Sequence, residues 1–148
     1  MTRQREARRL APHPPDEPAA FVHRVRTRFA ETDAMGIVHH AAYLPYLEAA
    51  RVEYLRSRGH PYEAVRSEGI DLVVLECAVR YRRPLYFDED VDVALGLGEV
   101  GRARFELRYR LEVGGELRAT AATVHGAVDR QGRATRLPPW LLGVFGEH

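Results

Sequence analysis

The residue types best suited to chemistry lie between Glu31 and Glu48, where a loop carboxylate precedes a predicted helix. Asp33 stands three residues before Gly36, and the helical pattern begins near residues 40–42. A helix N-terminus presents free N–H groups and a positive dipole end, which suit a carbonyl oxygen that gains charge during attack. A carboxylate in the preceding loop could attack the same carbon or activate water. Asp before a helix is also an ordinary cap or turn residue, so spacing alone leaves both interpretations open.

Two adjacent histidines, His39 and His40, raise the alternative of a metal site with Asp33 and His125. Adjacent residues rarely point to one centre in regular structure, and the HxxxH spacing is absent, so we predict no metal. We expect His125 to be packed on a strand face. The His40 side chain is a candidate to act beside Asp33, because a neighbouring base or donor tunes a carboxylate.

Two further reactive residues have ordinary structural interpretations. Glu48 lies on the helix near Arg51, and we expect an ion pair along the helix rather than a catalytic role. The single cysteine, Cys77, lies in an apolar run, and we expect it to be packed in the interior. A lone cysteine cannot form an internal disulfide, which favours a reducing compartment and predicts a cytoplasmic protein.

The hydrophobic pattern predicts the elements that position these residues. Strands are expected over 21–29, 70–83, 90–97, 103–113 and 116–128, a long helix over 41–59, and short helices over 61–69 and 138–145. In the second strand one face is expected to hold Val73, Leu75, Cys77, Val79 and Tyr81. Gly114 and Gly115 predict a tight hairpin turn. The fold class is therefore α+β, an antiparallel five-stranded sheet wrapped around one long central helix.

Length and composition limit the organisation and the partners. The 148 residues suit one domain at 21–148, preceded by a mobile arm over residues 1–20, which hold four of the nine prolines. The net charge of +1 gives no strong field for nucleic acid or an anionic membrane. No apolar run approaches the ~20 residues of a membrane span. The open sheet edges and second face call for a partner, so we expect at least a homodimer.

The stretch FAETDAMGIVHHAAYLPYLEAARVEYLR resembles the 4-hydroxybenzoyl-CoA thioesterase-like family of hotdog proteins. It is especially similar to the short-chain acyl-CoA thioesterases associated with the bacterial Tol-Pal system. The matching positions are Asp33, Gly36, Ile37, Val38, His39, His40 and Tyr43. The later stretch CAVRYRRPLYFDEDVDV resembles the family's second strand, its Pro-containing turn and the entry to the next strand. Ala42 and His39 depart from the common residues, which bears on the acyl pocket rather than on Asp33.

The resemblance implies a hotdog fold and hydrolysis of a small acyl-CoA. Asp33 would be the catalytic carboxylate, and the backbone N–H of His40 would polarise the thioester carbonyl. Arg102 and Arg104 stand where some members bind the phosphates of coenzyme A. Positions 36–39 and Tyr43 would line the substrate site. The coenzyme A thioester is then the substrate, no cofactor is expected, and the assembly would be a homodimer or homotetramer.

Two other functions are compatible with the same scaffold. A hotdog hydratase pairs an Asp with a His five positions later, with Asn-Pro between them, whereas His39 follows Asp33 by six and the Asn-Pro is missing. A non-catalytic acyl-CoA-binding or assembly module is the other alternative, since fold alone does not imply catalysis.

Overall fold

The computed structural model describes residues 9–146. The strands are β1 (Phe21–Arg26), β2 (Asp71–Tyr81), β3 (Asp90–Val100), β4 (Arg104–Val113), β5 (Glu116–Val128) and β6 (Ala134–Thr135). The α-helices are α1 (Tyr43–Ser57), α2 (Tyr62–Ser67) and α3 (Trp140–Gly146). Two short 3₁₀ turns, Phe29–Glu31 and His40–Ala42, flank the Asp33 loop. The predicted elements are thus present, with the two-residue β6 as an addition.

One antiparallel sheet with the strand order β1-β3-β4-β5-β2 curves around α1, and β6 pairs with β5. The core lies between this helix and the sheet. Leu47 and Ala50 of α1 are fully buried there against strand residues such as Leu95 and Leu111. The predicted sheet around one long helix is confirmed.

The central helix is built as its sequence predicts. Its buried residues recur every three to four positions, which places them on the face toward the sheet: Tyr43, Tyr46, Leu47, Ala50, Tyr54 and Leu55. Pro45 is the third helical residue, within the first turn, where its missing N–H leaves no intrahelical bond unmade. The helix ends at Ser57, and Gly59 follows with φ +83°, a left-handed conformation that favours glycine.

Strand β2 contains a bulge that the sequence pattern did not predict. Val74 pairs with His125 and Glu76 with Val124, so Leu75 has no partner of its own in the register. A bulge of one residue reverses which face each later side chain occupies. Leu72 and Val74 therefore face α1, whereas Leu75 lies over Gly126 on the other face. The predicted single face was wrong, because Val73 and Leu75 lie on the face of Gly126, whereas Cys77, Val79 and Tyr81 lie on the face toward α1.

The prediction of a packed Cys77 was also wrong, because its side chain is exposed. Strand β2 is an edge strand that pairs only with β5 among the described residues. The interval between β2 and α1 is open and forms a groove, and Cys77 lies along it rather than in the core.

The segment before β1 lies along the outer face of the sheet. Pro15 is buried, and its Cβ stands 3.0 Å from where a Cβ on Gly96 would be, so the glycine makes room for the proline. Glu17 forms an ion pair with Arg110. Residues 1–8 of the predicted arm lie outside the described residues, and its mobility and the boundary at residue 20 stay predictions. No helix between residues 9 and 146 is long and apolar enough to cross a membrane.

Candidate active site

The Asp33 loop is a tight turn with a carboxylate at its start. The Asp33 N–H donates to the Ile37 carbonyl at 2.8 Å, and the Gly36 N–H donates to the Asp33 carbonyl at 3.0 Å. Gly36 has φ +78°, so the turn uses glycine's conformational freedom as expected. Asp33 Oδ1 accepts from the Met35 N–H at 2.8 Å, while Oδ2 has no partner among the described residues. One carboxylate oxygen therefore holds the turn and the other is available.

Backbone hydrogen bonds from both sides fix this loop in place. The Val38 N–H donates to the Leu85 carbonyl at 2.8 Å, which ties the loop to the connection between β2 and β3. The His39 N–H donates to the Glu31 carbonyl at 2.7 Å, which ties it to the preceding 3₁₀ turn. The loop is therefore held rigidly, as a catalytic carboxylate requires.

The chain enters the central helix immediately after the loop. His39 caps this entry, since its Nδ1 accepts from the Ala41 N–H at 3.1 Å. His40 is the first residue of the 3₁₀ turn, so its N–H has no acceptor within the turn. The His40 carbonyl accepts from the Tyr81 hydroxyl at 3.0 Å, which holds the peptide that follows His40. A free N–H donor is thus held at the start of the helix.

A pocket of about 310 Å³ brings the predicted residues together. Its predicted lining residues are Asp33, Ile37, Val38, His40 and Tyr43. It is completed by five residues that the sequence reasoning did not assign to the site: Met35, Tyr81, Arg82, Arg83 and Pro84. The Pro-containing turn after the second strand was the one sequence signal that could have found four of them.

Two tyrosines form an apolar wall of this pocket. The rings of Tyr43 and Tyr81 meet edge to face with centroids 4.8 Å apart. Burial raises the pKa of Tyr43. Partial burial also raises the pKa of Tyr81. Both phenols therefore keep their protons at neutral pH and are not candidate bases.

Several predicted residues are not brought to this pocket. His39 does not line it, and Gly36 contributes only its backbone turn. Arg104 forms an exposed ion pair with Glu76 at 3.3 Å, next to Arg102 at the start of β4. Arg104 pairs with Gly126 of β5, while Tyr81 of the pocket pairs with Ala119. Seven residues of strand correspond to roughly 23 Å, so within one chain these arginines lie far from Asp33.

Glu48 and His125 have the structural roles that the sequence predicted for them. Glu48 and Arg51 form the expected ion pair, with 3.7 Å between their charged atoms. His125 is packed in the interior at 2% exposure, as predicted. Within residues 9–146 no group of three or more His, Cys, Asp or Glu side chains could hold a metal ion. Independence of metal stays a prediction about activity.

Comparison with known proteins places this chain in a family. A crystal structure of an Aquifex aeolicus protein of unassigned function superposes with a TM-score of 0.81 at 39% identity, covering 84% of this chain and 98% of that one. A 1,4-dihydroxy-2-naphthoyl-CoA hydrolase of Synechococcus elongatus is 30% identical over 121 residues, 77% of this chain and 89% of the relative. An acyl-CoA thioester hydrolase of Escherichia coli is 35% identical over 69 residues, 47% of this chain and 52% of the relative.

The model of the thioesterase-like superfamily matches residues 27–145, which is most of the chain. The arrangement of sheet and helix is the hotdog fold. The chain belongs to the thioesterase-like superfamily.

Proposed function

We propose that this protein hydrolyses acyl-coenzyme A thioesters, with Asp33 driving the attack and the His40 N–H binding the developing oxyanion. The observation that carries the proposal is that both residues line one pocket, with Asp33 Oδ2 and the His40 N–H unengaged within the described part of the chain. The relatives named for hydrolysis of acyl-CoA thioesters support the same reaction.

The proposed chemistry needs only these groups and water. As a general base, Asp33 takes a proton from water while the water oxygen bonds to the thioester carbon. The carbonyl oxygen gains negative charge opposite the His40 N–H, at the positive end of the helix dipole. The C–S bond then breaks, and the thiolate of coenzyme A leaves and takes up a proton. In the nucleophilic alternative, Asp33 first bonds to the carbon, the thiolate leaves, and water hydrolyses the resulting anhydride.

The His40 imidazole lines the same pocket, although no hydrogen bond joins it to Asp33 among the described residues. We assign it an auxiliary role, as a group that can hydrogen-bond to bound substrate. No cofactor and no metal enter this scheme.

The test is Asp33→Asn, which removes the charge but keeps an oxygen to accept from the Met35 N–H. Turnover of acyl-CoA should fall at least ~10²-fold, because a base or nucleophile is lost. Asp129→Asn is the matched control, since Asp129 Oδ1 holds a similar turn by accepting from Gln131 and Arg133 N–H groups, both at 2.9 Å. The control should keep full activity. Turnover within a few-fold of wild type in Asp33→Asn would remove Asp33 from the mechanism.

Two narrower hypotheses accompany this proposal. Likeness to the Tol-Pal-associated branch, with its small acyl groups, rests on the sequence motif. A cytoplasmic location rests on the lone cysteine. If a panel of acyl-CoAs were bound but none hydrolysed by the wild-type protein, the non-catalytic acyl-CoA-binding module would replace the enzyme. Addition of water across an enoyl-CoA double bond would instead indicate the hydratase.

A further inference from the structure

Two further cavities lie between α1 and β2, beside the Asp33 pocket. The first, of about 310 Å³, begins at Leu44, the residue after Tyr43, and is lined across from the helix by Cys77. The second, of about 450 Å³, shares Glu48, Arg51 and Val74 with the first, so the two are contiguous. We call these two cavities together the α1–β2 groove. Their sizes fall in the range of ligand sites.

A chain of three buried polar side chains lies at the sheet side of this groove. The Tyr109 hydroxyl and Thr123 Oγ1 are 2.8 Å apart, and Thr123 Oγ1 and His125 Nε2 are 2.7 Å apart. All three residues are almost fully buried. Thr123 lines the first cavity and His125 the second. Such a chain in an apolar interior is costly unless each polar atom finds a partner.

The direction of this chain follows from its chemistry. The positive charge of Arg51 lies beside Tyr109, so the phenol proton is favoured on the side away from it, toward Thr123. Thr123 has one proton of its own, and His125 Nε2 is the remaining neighbour that can accept it. The opposite arrangement would leave that buried proton without an acceptor, which is unfavourable.

The histidine at the end of the chain is neutral. Burial, and to a lesser degree the charge of Arg51, lowers the pKa of His125 to about 3. With Nε2 accepting from Thr123, the single imidazole proton is on Nδ1. Nδ1 has no hydrogen-bond partner among the described residues, and it is not one of the fully enclosed polar atoms without a partner. Nδ1 therefore keeps some accessible surface, and His125 lines the second cavity.

We propose that the α1–β2 groove holds the acyl part of the substrate and that His125 Nδ1–H donates to an oxygen on it. The enzyme would then select acyl groups with an apolar skeleton and an acceptor oxygen far from the thioester. Arg51 lies eight helical positions after Tyr43, a rise of about 12 Å, so only an extended acyl group of medium length reaches this donor. The proposal rests on the proposed function, since Asp33 marks where the thioester lies.

The test compares decanoyl-CoA with its analogue that carries a ketone on the penultimate carbon. A ketone can only accept a hydrogen bond, so it reports on a donor in the groove. The wild-type protein should favour the ketone analogue in kcat/KM by about tenfold, as one satisfied hydrogen bond in an apolar site predicts. Equal rates, or a preference for the plain chain, would overturn the proposal.

Two variants locate the donor. His125→Phe keeps a ring that can stack on Phe105, where the centroids are now 5.1 Å apart, but it removes the N–H. Thr123→Val has nearly the same shape and removes the hydroxyl that donates to His125 Nε2 and thereby fixes the imidazole tautomer. Each variant should reduce the preference for the ketone at least fivefold. If His125→Phe does not fold, Thr123→Val alone tests the donor. Thr120→Val is the matched control, because Thr120 is equally buried on the opposite face of β5 and should leave the preference unchanged.

Calorimetry with the two free acids separates this proposal from the proposed function. If neither thioester is hydrolysed but the keto acid binds wild type more tightly than decanoate, and His125→Phe loses the difference, the groove is correct and the hydrolysis proposal fails. If both thioesters are hydrolysed, but the keto and plain chains have equal rates and equal affinities, the groove proposal fails and the proposed thioesterase activity is retained.

Discussion

The Tyr46 hydroxyl donates a hydrogen bond to Glu31 Oε1 at 2.8 Å. The same carboxylate oxygen accepts from the Arg28 N–H at 2.8 Å. The Glu31 carbonyl accepts from His39, so Glu31 connects the central helix to both ends of the loop that carries Asp33. Glu31 thus positions the Asp33 loop without lining its pocket.

Tyr46→Phe should therefore loosen the Asp33 loop. The variant loses a hydrogen bond to a charged group, and we expect a loss of about 1.5 kcal/mol in the free energy of unfolding. The rate constant kcat should fall more than KM rises, because orientation of Asp33 is affected rather than binding. Urea denaturation and steady-state kinetics measure both. Tyr86→Phe, at an exposed position outside the pocket and the groove, is the control and should change neither the unfolding free energy nor kcat. Unchanged kcat in Tyr46→Phe would show that the loop keeps its geometry without this bond.

Glu31 also predicts how stability depends on pH. Burial alone would raise the pKa of Glu31, but the Arg28 N–H, the Tyr46 hydroxyl and the Arg28 guanidinium outweigh it and hold the pKa below its ordinary value of 4.5. A carboxyl with a lowered pKa stabilises the fold above its unfolded pKa, and this contribution is lost as the pH falls through the folded pKa. Glu31→Gln should thus be less stable than wild type at neutral pH, and the two unfolding curves should converge in acid. If the difference in unfolding free energy between wild type and Glu31→Gln stayed constant down to acidic pH, the effect would come from packing instead of charge.

Arg102 and Arg104 are expected to affect the binding of acyl-CoA but not of a thioester that lacks the nucleotide. Arg102→Ala with Arg104→Ala should raise KM for acyl-CoA and leave kcat nearly unchanged, because phosphates lie far from the scissile bond. The effect should vanish for an acyl-pantetheine, which lacks the nucleotide phosphates. Within one chain these arginines lie far from Asp33, so this prediction requires a second copy that brings its β4 start to the site. The matched comparison is Arg82→Ala with Arg83→Ala, whose side chains line the Asp33 pocket of their own chain. Equal impairment on both substrates by the first pair would indicate a structural role.

The open edge of β2 predicts a homodimer. Val74, Leu75 and Tyr81 are each nearly half exposed along this strand, an unusual amount of apolar surface for an unpaired edge. Leu75→Lys should shift the protein toward monomer in light scattering, since a lysine blocks pairing of two edges. Val22→Lys is the control on the other edge strand, β1, where Val22 is 54% exposed. A monomeric wild type, or equal dissociation by both variants, would contradict an interface along β2.

The sequence alone determined the elements whose pattern is local. Alternation of apolar and charged residues specified β4, and Gly114-Gly115 specified its turn, since both glycines have positive φ and Val113 pairs with Glu116. The spacing of buried residues specified α1. The motif around Asp33 located the candidate site, because the turn and the helix start that form it are only a few residues apart in the chain.

Tertiary structure decided what depends on pairing between distant segments. The bulge at Leu75 arises from the register between β2 and β5, so the face of Cys77 could not be deduced from alternation. Tyr81 and Arg82 reach the Asp33 pocket only because β2 ends beside the start of α1, where Tyr81 bonds to His40, 41 positions away in sequence. Arg102 lies at the far end of the sheet for the same reason. Local periodicity determines which face of a strand or helix is apolar. Strand register and the path of α1 over the sheet determine which of these side chains meet.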